Sequence, residues 1–177
     1  MIRVEKTDKL AKIFGTIDDK VGFETADAHC DYPCGIYDPH LAQLSALTVV
    51  RMVDLLKTIP KPNADKVEEM LDYAHDVARA VEVKEKHAEL CKHEVRIIWG
   101  DFIKPDHLKA HPELHEIVFN IMKFGGKSKQ EPDRDAAMKL LNEVNKFSEI
   151  FWELKGVKTK RAKAPYDPHE EVVYPQL

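Results

Sequence analysis

The chain has 177 residues, 44% of them apolar, which suits one domain with a packed core. Its net charge of -4 comes from interspersed acidic and basic residues, so no basic stripe offers itself to nucleic acid, and no apolar run nears the roughly 20 residues that span a bilayer. Three cysteines, an odd number, do not make a disulfide framework and point to reduced thiols or metal ligands in a reducing, cytoplasmic setting.

Residues 1–28 are charged throughout and lack the apolar core of a secretory signal, although Ala26-Asp27-Ala28 sets small residues in cleavage-site spacing. Leu10, Ile13 and Phe14 share one face. Two readings stand: an ordinary amphipathic segment, or a removable pro-segment.

The next stretch, His29-Cys-Asp-Tyr-Pro-Cys-Gly-Ile-Tyr37, concentrates chemistry ahead of the first helix. Cys30 and Cys34 are soft donors, and Pro33 and Gly35 let the chain curl so that both sulfurs reach one ion. Removal of the leader would free the α-amine of His29 beside its imidazole, and the adjoining Cys30 amide nitrogen could join the chelate. Square-planar nitrogen and sulfur ligation favours Ni(II) or Cu(II).

Four helices are predicted after Pro39. Asp38-Pro39 provides a cap and a first-turn proline, and Leu41, Leu44, Leu47, Val50, Val53 and Leu56 recur at helical spacing until IPKPN stops them. Asn63 is placed to cap a long helical region from Ala64 to about Trp99, one helix or two, with Val67, Met70, Leu71, Ala74, Val77, Ala78, Val81, Ala88, Cys91, Val95 and Ile98 on its apolar face. GDFIKPDH breaks the pattern; Pro112-Glu113 opens a third helix that Gly125-Gly126 should close. The fourth runs from about Pro132 to Leu154. No strand pattern competes, so the fold class is all-α: an antiparallel four-helix bundle preceded by an N-terminal metal-hook loop. Residues 156–177 read as an extended or disordered tail.

The motif His-Cys-Asp-Tyr-Pro-Cys-Gly-Ile-Tyr resembles the hook of the nickel superoxide dismutases, whose pattern is His-Cys-Asp-x-Pro-Cys-Gly-x-Tyr at a processed N-terminus. The likeness continues through KEKHAELCKHEVRIIWGDFIKPDH, PELH and FWELKG, covering most of residues 29–155. It implies a dismutase converting superoxide to dioxygen and hydrogen peroxide by Ni(II)/Ni(III) cycling, one nickel ion per chain, a homohexamer, and a maturation protease that removes residues 1–28. Nickel would be held by His29 through amine and imidazole, by Cys30 through amide nitrogen and thiolate, and by Cys34 through its thiolate. Asp31, Pro33 and Tyr37 would surround it, with Tyr37 as gatekeeper or proton source.

Two places depart from the family pattern. A glutamate that holds the axial imidazole, and an arginine that holds the glutamate, fall here on Ser45 and His87; either can bond His29 in their stead. Phe102 stands where a second tyrosine is common. Because the net charge is negative, steering of an anion must be local, and Lys104 is the candidate. The rival chemistry is a helical module without dismutase activity, binding nickel or binding zinc through Cys30, Cys34, His87 and Cys91. His107, His111 and His115 are assigned capping, packing or surface roles, and Trp99 and Trp152 anchor the core or an interface.

Overall fold

The computed structural model describes residues 35–177. The leader and the hook residues His29, Cys30, Asp31, Pro33 and Cys34 lie outside the described residues, as does the Tyr32-Pro33 bond.

Helix α1 (His40–Thr58) begins where the aspartate and proline foretell. Asp38 Oδ1 accepts the His40 amide at 2.7 Å, which satisfies a donor that the first turn leaves without a helical partner. The helix stops at Ile59, held extended by the following Pro60. Helix α2 (Val67–Ile97) is a single element of 31 residues. Asn63 does not cap it. The Asn63 side-chain and backbone carbonyls accept from Asp65 and Lys66, both at 3.0 Å, in a turn just ahead of the helix.

The buried stripe of α2 is Ala80, Lys84, Ala88, Cys91 and Val95, a row of one face. The sequence reading put Val67, Met70, Leu71, Ala74 and Ala78 on the inner face as well. They are exposed, Val67 to 73% and Leu71 to 64%. The reason is length. At 1.5 Å per residue the 31-residue α2 far outruns the 19-residue α1, and near the end of α1 Met52 and Leu55 share a pocket with Asp76, Arg79, Ala80 and Val83 of α2. Periodicity marks an apolar face but does not say where its partner ends.

Beyond α2 a π-helical turn, Ile98–Phe102, closes with the Ile103 amide on the Ile98 carbonyl at 3.1 Å. A short helix α3 (Pro105–Ala110) follows within the stretch read as a break. Helix α4 (Leu114–Gln130) runs through Gly125-Gly126 instead of stopping there. Gly125 is a close-approach residue: a Cβ would lie 2.9 Å from Cγ and Cδ of Lys92 on α2. The end of α4 is instead capped by Lys84, whose buried Nζ donates to the carbonyls of Ser128 at 2.7 Å and Lys129 at 2.9 Å. Burial pushes the Lys84 ammonium below the usual lysine range. Helix α5 (Arg134–Leu154) starts at Asp133, whose carboxylate accepts the amides of Asp135 and Ala136.

Helix α1 packs on α2 and α5, and α4 packs on the same two, around a core that includes Val50, Val53, Ile121, Leu140, Val144 and Phe147. The described chain is mostly helical, and among its residues no helix is long and apolar enough to cross a membrane. One amendment to the all-α expectation is needed. Strands β1 (Thr159–Lys163) and β2 (Glu171–Pro175) pair antiparallel, Thr159 opposite Pro175 and Lys163 opposite Glu171. Local periodicity cannot announce them, because their anchors are remote side-chain amides: Gln43 Nε2 donates to the Val173 carbonyl at 3.0 Å, the Val173 amide donates to Gln43 Oε1 at 3.1 Å, and Asn145 Nδ2 donates to the Glu171 carbonyl at 2.8 Å. Arg161 adds a two-pronged bond to Glu149, both contacts 2.7 Å.

Candidate active site

Of the sequence-predicted site residues, Tyr37, Ser45, His87 and Lys104 fall in the described chain. Tyr37 follows Cys34 by three residues in the sequence. The half-buried Tyr37 ring packs on Phe102, centroids 5.9 Å apart at 47°. Phe102 is the hub of the cluster, 4.9 Å from Phe151 and 5.4 Å from His107. It ends the π turn, and the short α3 carries His107 back against it. Nδ1 of His107 accepts the Lys104 amide at 3.3 Å, so in the neutral ring the hydrogen is on Nε2.

Ser45 is buried at 1% exposure on α1. His87 is half-buried on α2, and its Nδ1 meets the Val83 carbonyl of its own helix at 2.8 Å. A carbonyl only accepts, so Nδ1 carries the hydrogen in the neutral ring and Nε2 presents a lone pair. Thus His87 has one nitrogen committed and one acceptor to offer. The Lys104 side chain is exposed ahead of α3.

The four-ligand zinc reading is not favoured. Cys91 is buried in the apolar core at 0% exposure, and that burial pushes its thiol up to about 12, whereas a metal ligand must be a thiolate. Among the described residues no group of three or more His, Cys, Asp or Glu side chains is placed to hold an ion. The hook, outside the described residues, carries in its sequence two thiols, an imidazole and backbone nitrogens, a donor set suited to nickel.

Sequence reasoning passed over Lys155, whose Nζ stands 4.8 Å from the Phe102 centroid and 5.9 Å from that of Phe151. Its one sequence signal was the glycine that follows, a helix-stop residue that fixes the lysine at the end of α5.

Residues 24–155 match the family model described as nickel-containing superoxide dismutase. The chain belongs to the nickel superoxide dismutase family. Among its relatives, superoxide dismutase [Ni] of Streptomyces coelicolor is 37% identical over 131 residues, which is 74% of this chain and 91% of that protein. The Streptomyces seoulensis protein of the same name is 37% identical over 128 residues, 72% of this chain and 88% of the relative. Solved nickel superoxide dismutases also resemble it. One with nickel ligation corresponding to the oxidised state has a TM-score of 0.60 at 34% identity, and a native structure has 0.59 at 35%; each comparison covers 72% of this chain and 99% of the other. The match to the nickel superoxide dismutases spans hook and helices and stops one residue before Gly156, so the β1–β2 hairpin lies beyond it.

Proposed function

We propose that the chain disproportionates superoxide to dioxygen and hydrogen peroxide with one nickel ion held by its N-terminal hook. The observation that carries the reading is a family match running unbroken across a complete His-Cys-Asp-Tyr-Pro-Cys-Gly-Ile-Tyr motif. Cleavage by a maturation protease separates a pro-segment, 1–28, from a hook and antiparallel four-helix bundle, 29–155, with a C-terminal tail, 156–177. The mature form assembles as a homohexamer in the cytoplasm.

The residues present fit nickel. His29 supplies its freed amine and its imidazole, Cys30 its amide nitrogen and thiolate, and Cys34 a second thiolate. Bound there, nickel supplies the one-electron Ni(II)/Ni(III) couple that the two halves of the reaction share, its potential lowered by anionic sulfur and amide donors. The chain's own residues do the rest. One superoxide gives up an electron and leaves as dioxygen; the other gains one and needs two protons to leave as hydrogen peroxide. The Tyr37 hydroxyl, beside the hook in sequence, holds and delivers a proton. Phe102, without a hydroxyl, contributes an apolar wall against Tyr37 in place of a second phenol. Asp31 and Pro33 shape the curl of the hook, and Lys104 attracts the anion.

Ser45 and His87 replace the family's glutamate and arginine. With Nδ1 bonded to Val83, His87 keeps Nε2 as an acceptor, and either His87 or Ser45 would take over the task of orienting the His29 imidazole. A neutral acceptor polarises that imidazole less than a carboxylate does, which weakens its push on the metal. The test is mass spectrometry and metal analysis of protein matured with its protease and nickel, followed by superoxide decay. A chain trimmed before His29, loaded with one nickel, and fast against superoxide is expected; decay at the spontaneous rate would refute the proposal.

A further inference from the structure

Helix α4 lies antiparallel on the C-terminal half of α2. The Arg96 guanidinium reaches Met122, the Lys92 stem crosses Gly125, the Glu89 carboxylate meets Lys129, and Lys84 caps the last carbonyls of α4. Counted toward the N-terminus in steps of three and four, the same side of α2 runs from Arg96, Lys92 and Glu89 through Glu85 to Val81, Ala78, Ala74, Leu71 and Val67. The row is charged where α4 covers it. It turns wholly apolar past Lys84, where α4 has ended at Gln130, and there Val67, Leu71, Ala74 and Ala78 are exposed. Among the described residues nothing covers them.

The positions 67, 71, 74 and 78 alternate steps of four and three, the repeat of a helix-pairing seam, and the two alanines let a second helix approach closely. The occupant that fits is the same seam of a second copy, laid antiparallel. Val67 then faces Ala78 of the second copy and Leu71 faces its Ala74, so each branched side chain fills the space beside an alanine. The two-fold axis repeats both layers, making four. On the flank nearer the core Met70 meets Val77, and on the outer flank the Glu68 carboxylate meets the His75 ring, an acceptor opposite a donor. A parallel pairing would instead set leucine on leucine, leave alanine facing alanine across a void, and align the two helix dipoles. A second helix antiparallel to α2 also runs in the direction of α4, and so extends the slot past the end of that helix.

We propose that residues 67–78 of α2 form a self-docking surface that pairs antiparallel with the same surface of a second copy. Neither the chemistry of the hook nor the homohexamer is a premise of this pairing. Four layers bury less than the roughly 800 Å² per partner of a standard stable interface, so the pairing depends on concentration.

Sedimentation velocity tests it on the full chain and on the nickel-loaded chain trimmed before His29, from about 1 µM to about 500 µM. The species present in dilute solution should double in mass toward the concentrated end. Leu71→Glu changes an exposed helical position, so its circular dichroism should match the parent's, while doubling should require at least about tenfold more protein. His75→Glu sets two carboxylates face to face and should shift the midpoint about two- to fivefold upward. Adding Glu68→Lys to it should restore the parent, because the antiparallel register joins position 68 to position 75. Doubling in the trimmed chain alone also supports the proposal, with residues 1–28 as a competing cover. Equal masses for parent and Leu71→Glu at every concentration overturn it, whether the leader or a different protein covers the seam. Disruption by Leu71→Glu without rescue by the charge exchange overturns the antiparallel register, and the proposal with it.

Discussion

Replacing Gln43 by leucine should release the β1–β2 hairpin from the helices while barely changing the volume of the buried side chain. Gln43 is 2% exposed, and its amide makes two bonds to one residue, donating to the Val173 carbonyl at 3.0 Å and accepting the Val173 amide at 3.1 Å. Leucine leaves both backbone groups buried and without a partner. Each such orphan costs about 1–3 kcal/mol, and since the two share a site, a combined loss of about 2–4 kcal/mol is expected. The hairpin can avoid that penalty by lifting off and hydrating, but it would then expose Val172 and Val173, worth about 1.5–3 kcal/mol each when fully buried. The two routes are close in free energy, so the variant should show both a lower urea midpoint and faster trypsin cleavage at Lys160, Arg161 and Lys163 in β1. A stability loss below about 0.5 kcal/mol with unchanged tryptic protection would refute the assignment of Gln43 as the hairpin's anchor.

His87→Ala should alter the nickel spectra and cut activity roughly 10- to 100-fold, the range for loss of a group that orients a metal-bound histidine; unchanged spectra and kinetics would remove His87 from the site. Glu89 is held at about 2, chiefly by the Arg96 guanidinium, with Lys129 and Lys92 assisting. Its folded value lies below its unfolded one, so its contribution is present above about pH 4.5 and is lost as pH falls toward 2. The group is half-exposed and screened, so Glu89→Gln should flatten the acid limb of stability by less than about 1 kcal/mol, measured as urea midpoints from neutral pH downward. Cys91→Ala should retain full nickel content, and Cys91 should resist thiol reagents until the protein unfolds; loss of nickel in that variant would make it a ligand.

Where the chain carried its instructions locally, the sequence was enough. Asp38-Pro39 located the start of α1, the proline after Ile59 its end, and the periodic apolar residues up to Leu154 defined α5. The hook was legible for the same reason, since its proposed ligands occupy one short stretch. Failures arose where a residue answers to a distant partner. Gly125-Gly126 looks like a stop, yet Gly125 is small because the Lys92 stem crosses its Cα. The cap that does end α4 comes from Lys84, a residue that composition would place in solvent. Val67 and Leu71 look like core and lie on a helix that has outrun its neighbour. The contact of Lys155 was missed because it is with Phe102, which a different element carries.

The amide of Gln43 sits in the first described helix, and its backbone partner arrives 130 residues later. During synthesis, therefore, that side of α1 lacks its partner until Val173 has been added. A chain cut off before β2 would keep the helices but leave the Gln43 amide without its backbone partner.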